Sequence, residues 1–490
     1  MGVGLFQLIS KGNLINDVFY NPSISFYNYV YRRHTNFAIE NIMLAFETLP
    51  SLLSNMHKGN EYSVKLAAIP DVNLLSSLHL IFKLPAIFSS SKYKFKWVEN
   101  VGALLIKKAT IVINNSVIDT ITGEWLVIWN ELTMPVKNNF NYMSGNVDAL
   151  NNPRKPETTI RIRNNIISSY DYLDGSSSGS GSGSGSSSAL PSIPSRDVIT
   201  PLPFWFSKNP SLALPIFKLA SSNDIYLKIE FEDIEKLYTV YSPVYNMHIA
   251  PSFYNVIHKE NININNFIKQ DVFRAHIEAF YVILDQVEYN QISNAAFKDY
   301  LIESISIISD NFVASMAETV NNITINSKLG VKEVIWTLKR ADSVDNFNDI
   351  INYTYSIPKN NEKSIMKTAR LNWDINSGSY IYSRVEEKEA HFYNAIQPYQ
   401  YHSAIPRQGI YLYSFSLYPE KWFPSGFYDG SYSKMILSMT FNKYENNLID
   451  DIYDIQGFVT NRDKIYATVY VIEYNILTMI NNNIGLKYAN

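Results

Sequence analysis

The chain has 490 residues, 46% hydrophobic, 18% charged and 14% aromatic, with a formal net charge of −3 and no cysteine. The apolar content excludes a disordered chain. The mild acidity argues against a general nucleic-acid binder, which needs a basic surface to displace counterions, and the lack of cysteine removes disulfides, thiolate metal sites and a thiol nucleophile. No run of 18 apolar residues is present, so no membrane-spanning helix is expected. MGVGLFQLIS lacks the charged start and apolar core of a signal peptide, and Phe6 stands where a myristoylation signal has Ser or Thr.

In chain order, residues 1–20 read as an N-terminal arm. NPSISFYNYVYRRHTNFAIE (21–40) is a β-like aromatic run closed by Arg32, Arg33 and His34. Residues 74–83 have the spacing of a short helix. Residues 109–118 (ATIVINNSVI) read as two β runs around an Asn-Asn turn, and 121–131 (ITGEWLVIWNE) as a helix. Residues 175–188, GSSSGSGSGSGSSS, cannot bury apolar area and predict a flexible loop of about 20 Å reach. Strand signals thin out over 233–270, where Pro243 and Pro251 interrupt, and this stretch is expected to link two halves. Residues 274–284 (RAHIEAFYVIL) place Ile277, Ala279, Tyr281 and Ile283 on one face of a strand. A short helix is expected over 297–302. Strands are expected over 322–326, 331–338, 410–418 and 466–476. Many short strands and few helices predict β-sandwiches, one per half.

The chemical candidates are few. Arg32, Arg33 and His34 suit an anion site, a catalytic cluster or a structural clamp. The eight histidines form neither H-E-x-x-H nor H-x-x-E-H; His248 and His258, ten residues apart, are the pair with any metal-ligand spacing. Glu386, Glu387 and Glu389, and Asp450 with Asp451, are the carboxylate clusters. Neighbours on a strand point to opposite faces, so these runs read as solvated faces rather than a glycosidase pair. No phosphate-binding glycine loop or G-x-S-x-G elbow occurs. Three N-x-[ST] sequons, at Asn114, Asn322 and Asn352, are candidate glycosylation sites.

NPSISFYNYVYRRHTNFAIE resembles the N-terminal signature of the major capsid proteins of nucleocytoplasmic large DNA viruses. Five further segments are similar to that family in the same order: ITGEWLVIWNELT, TPLPFWFSKNPSLALPIFKLASSNDIYLKIEF, VKEVIWTLK, NAIQPYQYHSAIPRQGIYLYSFSLYPEKWFPSGF and IYATVYVIEYNILTMINNNIGLKYAN. The resemblance implies an all-β double jelly roll: two antiparallel eight-stranded sandwiches over 21–232 and 271–490. It implies a non-enzymatic shell protein without cofactor or metal, forming homotrimeric pseudo-hexagonal capsomers that tile an icosahedral virion assembled in the host cytoplasm. Its implied partners are neighbouring capsomers, minor capsid and penton proteins and an inner viral membrane, with no direct nucleic acid and with host-surface glycans as a further ligand of outer loops. In this light Arg32, Arg33 and His34 are a structural clamp. The sequence departs from the family in its Gly/Ser loop and in FYDGS (427–431) after PSG, both where loops are expected. A minor capsid paralogue of the same fold, and a carbohydrate-binding or carbohydrate-cleaving β-sandwich, are the competing readings.

Overall fold

The computed structural model describes residues 37–48, 61–66, 72–89, 92–134, 138–151, 160–162, 165–167, 191–219, 224–268, 274–294, 299–313, 319–356, 363–375, 381–383, 386–421, 423–430, 433–443, 464–480 and 483–488. Sixteen strands build two sandwiches. The first contains β1 (Phe37–Ala45), β2 (Glu61–Lys65), β3 (Leu74–Leu84), β4 (Ile106–Ile113), β5 (Ser116–Ile121), β6 (Arg196–Leu202), β7 (Ile225–Phe231) and β8 (Ala275–Leu284). The second contains β9 (Asp299–Val313), β10 (Asn321–Ile325), β11 (Gly330–Arg340), β12 (Met366–Ile375), β13 (Ile381–Ser383), β14 (Ile410–Ser414), β15 (Ser433–Phe441) and β16 (Lys464–Ile480).

Sheet order is β1-β8-β3-β6 facing β2-β7-β4-β5 in the first sandwich, and β9-β16-β11-β14 facing β10-β15-β12-β13 in the second. Counted within each unit, both read 1-8-3-6 over 2-7-4-5, the two four-stranded sheets of a jelly roll. The fold is therefore an internal duplication, although no residue-level repeat is visible in the sequence. All the pairings are antiparallel.

Alternation at period 2 sets what each sheet buries. On β3 it is Leu78, Leu80, Phe82 and Leu84, on β8 Ile277, Ala279 and Tyr281, and on β7 Ile225, Leu227 and Ile229. The second core meets between Trp336, Leu338, Val469 and Val471 on one sheet and Ala369, Leu371, Leu437 and Met439 on the other. β11 is buried along almost its whole length. Val334, Trp336 and Leu338 fill its own sandwich, while Ile335 joins the core cluster of the first.

Four expectations are corrected. Residues 74–83 form β3, not a helix. Leu74, Leu75, Leu78, Ile81 and Phe82 fit the helical period and Leu78, Leu80, Phe82 and Leu84 the strand period, and pairing to β8 on one side and β6 on the other selects the strand. The helix expected over 297–302 is instead the start of β9 at Asp299, paired to β16; residues 297 and 298 lie outside the described set. Ala275–Leu284, placed by sequence in the second unit, is the eighth strand of the first, paired with β1 and β3. Residues 233–270 are likewise no bare linker. Tyr238–Ser242 and Met247–Ile249 form a three-stranded sheet with Phe95–Trp97, and α2 (Pro251–His258) follows. The expected helix at 121–131 is present as α1 (Gly123–Thr133), and the Asn-Asn turn holds Asn114 and Asn115 at positive φ.

The 1–2, 3–4, 5–6 and 7–8 connections of each unit leave from one end. In the first unit the N–H groups of Ile87 and Phe88 donate to the carbonyls of Ile193 and Phe267 there. In the second, Gly409 precedes β14 at φ 90°, and a Cβ at that site would sit 2.3 Å from the Tyr353 carbonyl oxygen in the 3–4 connection. Gly409→Ala is expected to destabilise by about 2 kcal/mol, from left-handed strain plus a backbone clash; urea unfolding against wild type measures it.

Candidate functional site: the seam between the sandwiches

The outer face of the β9-β16-β11-β14 sheet is covered by the first sandwich. Helix α1 supplies much of the cover. Thr122 caps it, its Oγ1 accepting from Trp125 N–H at 3.3 Å, and Glu124 occupies the first turn, where the helix dipole favours an acid. Gly123 is required because a Cβ there would lie 2.1 Å from the Ala103 carbonyl oxygen, so the helix starts hard against the short helical turn Val101–Leu104. The helix then lays Trp125 against Tyr470 of β16, ring centroids 5.2 Å apart, and stacks Trp129 on Trp125 at 5.5 Å.

Ion pairs cross this contact. Arg407 donates from Nε at 3.0 Å and Nη2 at 2.7 Å to Glu131 Oε1, and from its backbone N–H to Oε2 at 3.3 Å. Lys339 donates to Glu124 at 2.7 Å. Lys208, after β6, and Lys332, on the β11 bulge, both donate to Glu303 of β9, Lys332 at 2.5 Å. Burial alone would raise the Glu303 pKa, but the two ammonium groups outweigh it and hold the carboxyl below its usual range. Backbone and amide bonds extend the seam: Ala404 N–H donates to Leu132 O at 2.9 Å, Ala250 N–H to Asn346 O at 2.8 Å, and Asn348 Nδ2 to Glu235 O and Tyr238 O at 2.7 and 2.8 Å. These join like-numbered ends of both units, so the sandwiches stand side by side in the same sense.

Two titratable groups are unusual. His402 is buried beside the edge of Trp129, with Nε2 2.9 Å from Glu333 and Nδ1 3.2 Å from Glu420. Burial disfavours the imidazolium, but the charges and hydrogen bonds of Glu333 and Glu420 win and push its pKa up to about 9. It therefore stays protonated at neutral pH, with both ring nitrogens donating. Asp119 of β5 is buried where that strand meets β9. Desolvation pushes its pKa up to about 7, against backbone bonds from Thr120 and Ile305 and the charge of Lys208. Chemically the arrangement is a lock: cations and carboxylates answer one another across two sheets.

The residues singled out from sequence are not brought into this seam. Arg32, Arg33 and His34 lie outside the described residues, as do Asp450 and Asp451. His248 is half-buried and held neutral by desolvation and Lys96, its pKa down at about 3, while His258 Nε2 sits 3.0 Å from Ser242 Oγ. Among the described residues no group of three His, Asp or Glu side chains could hold a metal. Glu386 and Glu389 are exposed and pair with Lys388 and His391. Of the sequons, Asn114 and Asn322 are exposed. Asn352 is corrected: it is fully buried, donating to Asp349 and the Ser356 carbonyl at 2.9 Å each, which leaves no room for a glycan. The seam residues went unassigned in the sequence, although Glu124 and Glu131 stand in ITGEWLVIWNELT and His402 and Arg407 in YHSAIPRQG. The signal was an ionisable residue inside an apolar, tryptophan-rich helix.

A family model described as major capsid protein N-terminus matches residues 25–257, and one described as large eukaryotic DNA virus major capsid protein matches 291–485. The chain is 24% identical over 576 residues to the major capsid protein of Phaeocystis pouchetii virus, covering 100% of both. It is also 24% identical over 583 residues to probable capsid protein 4 of Acanthamoeba polyphaga mimivirus, covering 100% of this chain and 99% of that one. Among solved structures it superposes on PBCV-1 VP54 with a TM-score of 0.65 at 19% identity, over 95% of this chain and 100% of that one.

Proposed function

The chain belongs to the major capsid protein family of large eukaryotic DNA viruses, and on that premise we propose that it is the non-enzymatic building block of an icosahedral shell. One observation carries the reading: the same 1-8-3-6 over 2-7-4-5 sandwich occurs twice and in the same sense, so one chain supplies two neighbouring positions of a ring. Three chains supply six, the outline of a pseudo-hexagonal capsomer, and a closed ring leaves no interface unsatisfied. Purified protein is expected to scatter light as one species of three times the 56.2 kDa chain, about 169 kDa. A monomer at all concentrations overturns the reading.

The protein acts in the virion, assembled in the host cytoplasm, against neighbouring capsomers, minor capsid and penton proteins, and above an inner membrane. Arg32, Arg33 and His34 clamp the base of the first sandwich; Arg33→Ala leaving trimer yield unchanged would remove that role. Exposed Asn114 and Asn322 are the sequons open to glycosylation. The likeness to a mimivirus probable capsid protein supports a second reading, a less abundant paralogue of the same fold. Copy number in purified particles decides between them.

A further inference from the structure

The duplication makes one asymmetry informative. In the second unit the outer face of the 1-8-3-6 sheet is sealed by the first: Ile335, Leu412, Tyr470 and Ile472 are buried in the core cluster of the first sandwich. In the first unit the equivalent sheet has no such cover among the described residues. Its inner side chains are Ile42 and Leu44 on β1. The outward ones are Ile39, 61% exposed, and Met43, 63% exposed, beside the half-buried Phe280 and Val282 of β8. Solvent is a poor environment for a row of this kind on the outer strand of a sheet.

The element that makes the seal has a counterpart too. Helix α1 lies in the connection between the fifth and sixth strands of the first unit. The same connection of the second unit carries a π-helical turn (Phe392–Ile396) running into helix α3 (Gln397–Tyr401). Tyr393 anchors it inward, donating to the Ala369 carbonyl at 2.9 Å and meeting Trp336 edge-on at 5.1 Å. Ile396 and Tyr399 are left facing out, 40% and 77% exposed. These four exposed side chains are themselves uncharged, although Glu278 of β8, 3.3 Å from His276 Nε2, lies directly across from Met43; a rigid tyrosine beside aliphatic neighbours has the composition of an interface anchor.

We propose that the helix Gln397–Tyr401 of one copy docks on the outer β1-β8 face of a second copy, with Ile396 and Tyr399 against Ile39 and Met43, repeating between chains the seal that α1 makes within the chain. The inference rests on the trimer reading and deepens it. Of six sandwiches in the ring, three 1-8-3-6 faces are sealed within chains and three between them. The contact is heterologous, so it closes at three copies without a free face.

The absence of cysteine makes the test clean. Met43→Cys and Tyr399→Cys in one chain, and the Ile39→Cys and Ile396→Cys combinations with them, are oxidised and run on a non-reducing gel. At least one pair is expected to give covalent dimers and trimers, while each single cysteine gives none. Independently, Met43→Glu and Tyr399→Glu are each expected to raise the concentration at which the trimer dissociates about tenfold or more, with Val256→Glu, exposed on α2, leaving it unchanged. A wild-type trimer that yields no cross-link with any pair and tolerates both glutamates overturns the docking while the trimer stands. A wild-type monomer overturns the trimer and the docking with it.

Discussion

Arg407→Ala is expected to destabilise the protein by about 3–5 kcal/mol, the range for removing one partner of a buried, hydrogen-bonded ion pair. The size comes from what is left behind. Glu131 is buried on α1 and accepts three bonds from Arg407, two from the guanidinium and one from the backbone. Truncation removes both guanidinium bonds and leaves the carboxylate in an apolar seam without that cation. Replacing both partners, as Arg407→Met with Glu131→Leu, is expected to recover most of the loss, because two apolar side chains of similar volume need no desolvation of charge. Urea unfolding of the two single variants and the double variant reads the coupling. A double-variant loss equal to the sum of the two single losses would mean that the pair contributes nothing beyond packing. The loss also falls on assembly, since the seam fixes the angle between two adjacent positions of the proposed ring.

Much of the fold was open to reading from local pattern, and what was not has a physical reason. β8 alternates cleanly and β16 is a β-branched and aromatic run, so both were legible as strands. β3 is apolar at both helical and strand spacings, and only its two partner strands, β8 and β6, resolve it. The fate of β8 could not be read locally at all. It follows the interrupted stretch 233–270 and looks like the start of a new unit, yet its ladder closes onto β1 more than 230 residues earlier. A jelly roll ends by returning to its first strand, and such long-range closure leaves no mark in a sequence window. The duplication was hidden for a related cause. It is conserved as strand order, while the outward faces have diverged: the second unit's 1-8-3-6 sheet carries Glu333 and Ile335 for a partner in the same chain, and the first unit's carries Ile39 and Met43. The seam residues stood within recognisable segments, but an ion pair between residues 131 and 407 is a product of packing two sandwiches.

Stability is expected to fall by about 3 kcal/mol as pH rises from 6.5 to 9, and His402 is the cause. Its unperturbed pKa is 6.5 and its folded value about 9. Below 6.5 the imidazolium exists in both states and its bonds to Glu333 and Glu420 contribute in full; as pH rises to 9 the folded state holds a proton that the unfolded state has released, and the contribution is lost. Asp119 acts in a lower window with the same slope. Its carboxyl is protonated in the folded protein up to about pH 7 but ionises near 3.8 when exposed, so folding is penalised by about 4 kcal/mol across that range and the penalty is constant above it. The two are separable. Asp119→Asn should flatten the profile between pH 4 and 7 and raise stability at pH 8. His402→Gln should lower stability at pH 6 and flatten the profile from 6.5 to 9. Urea midpoints at half-unit steps give both curves. A wild-type profile that is level from 6.5 to 9 would mean that His402 is neutral in the fold, leaving Glu333 and Glu420 without a cation between them. His402 holds Glu333 and Glu420 of its own unit and meets Trp129 of α1, so alkaline loss of its proton acts on the second unit at its contact with the first.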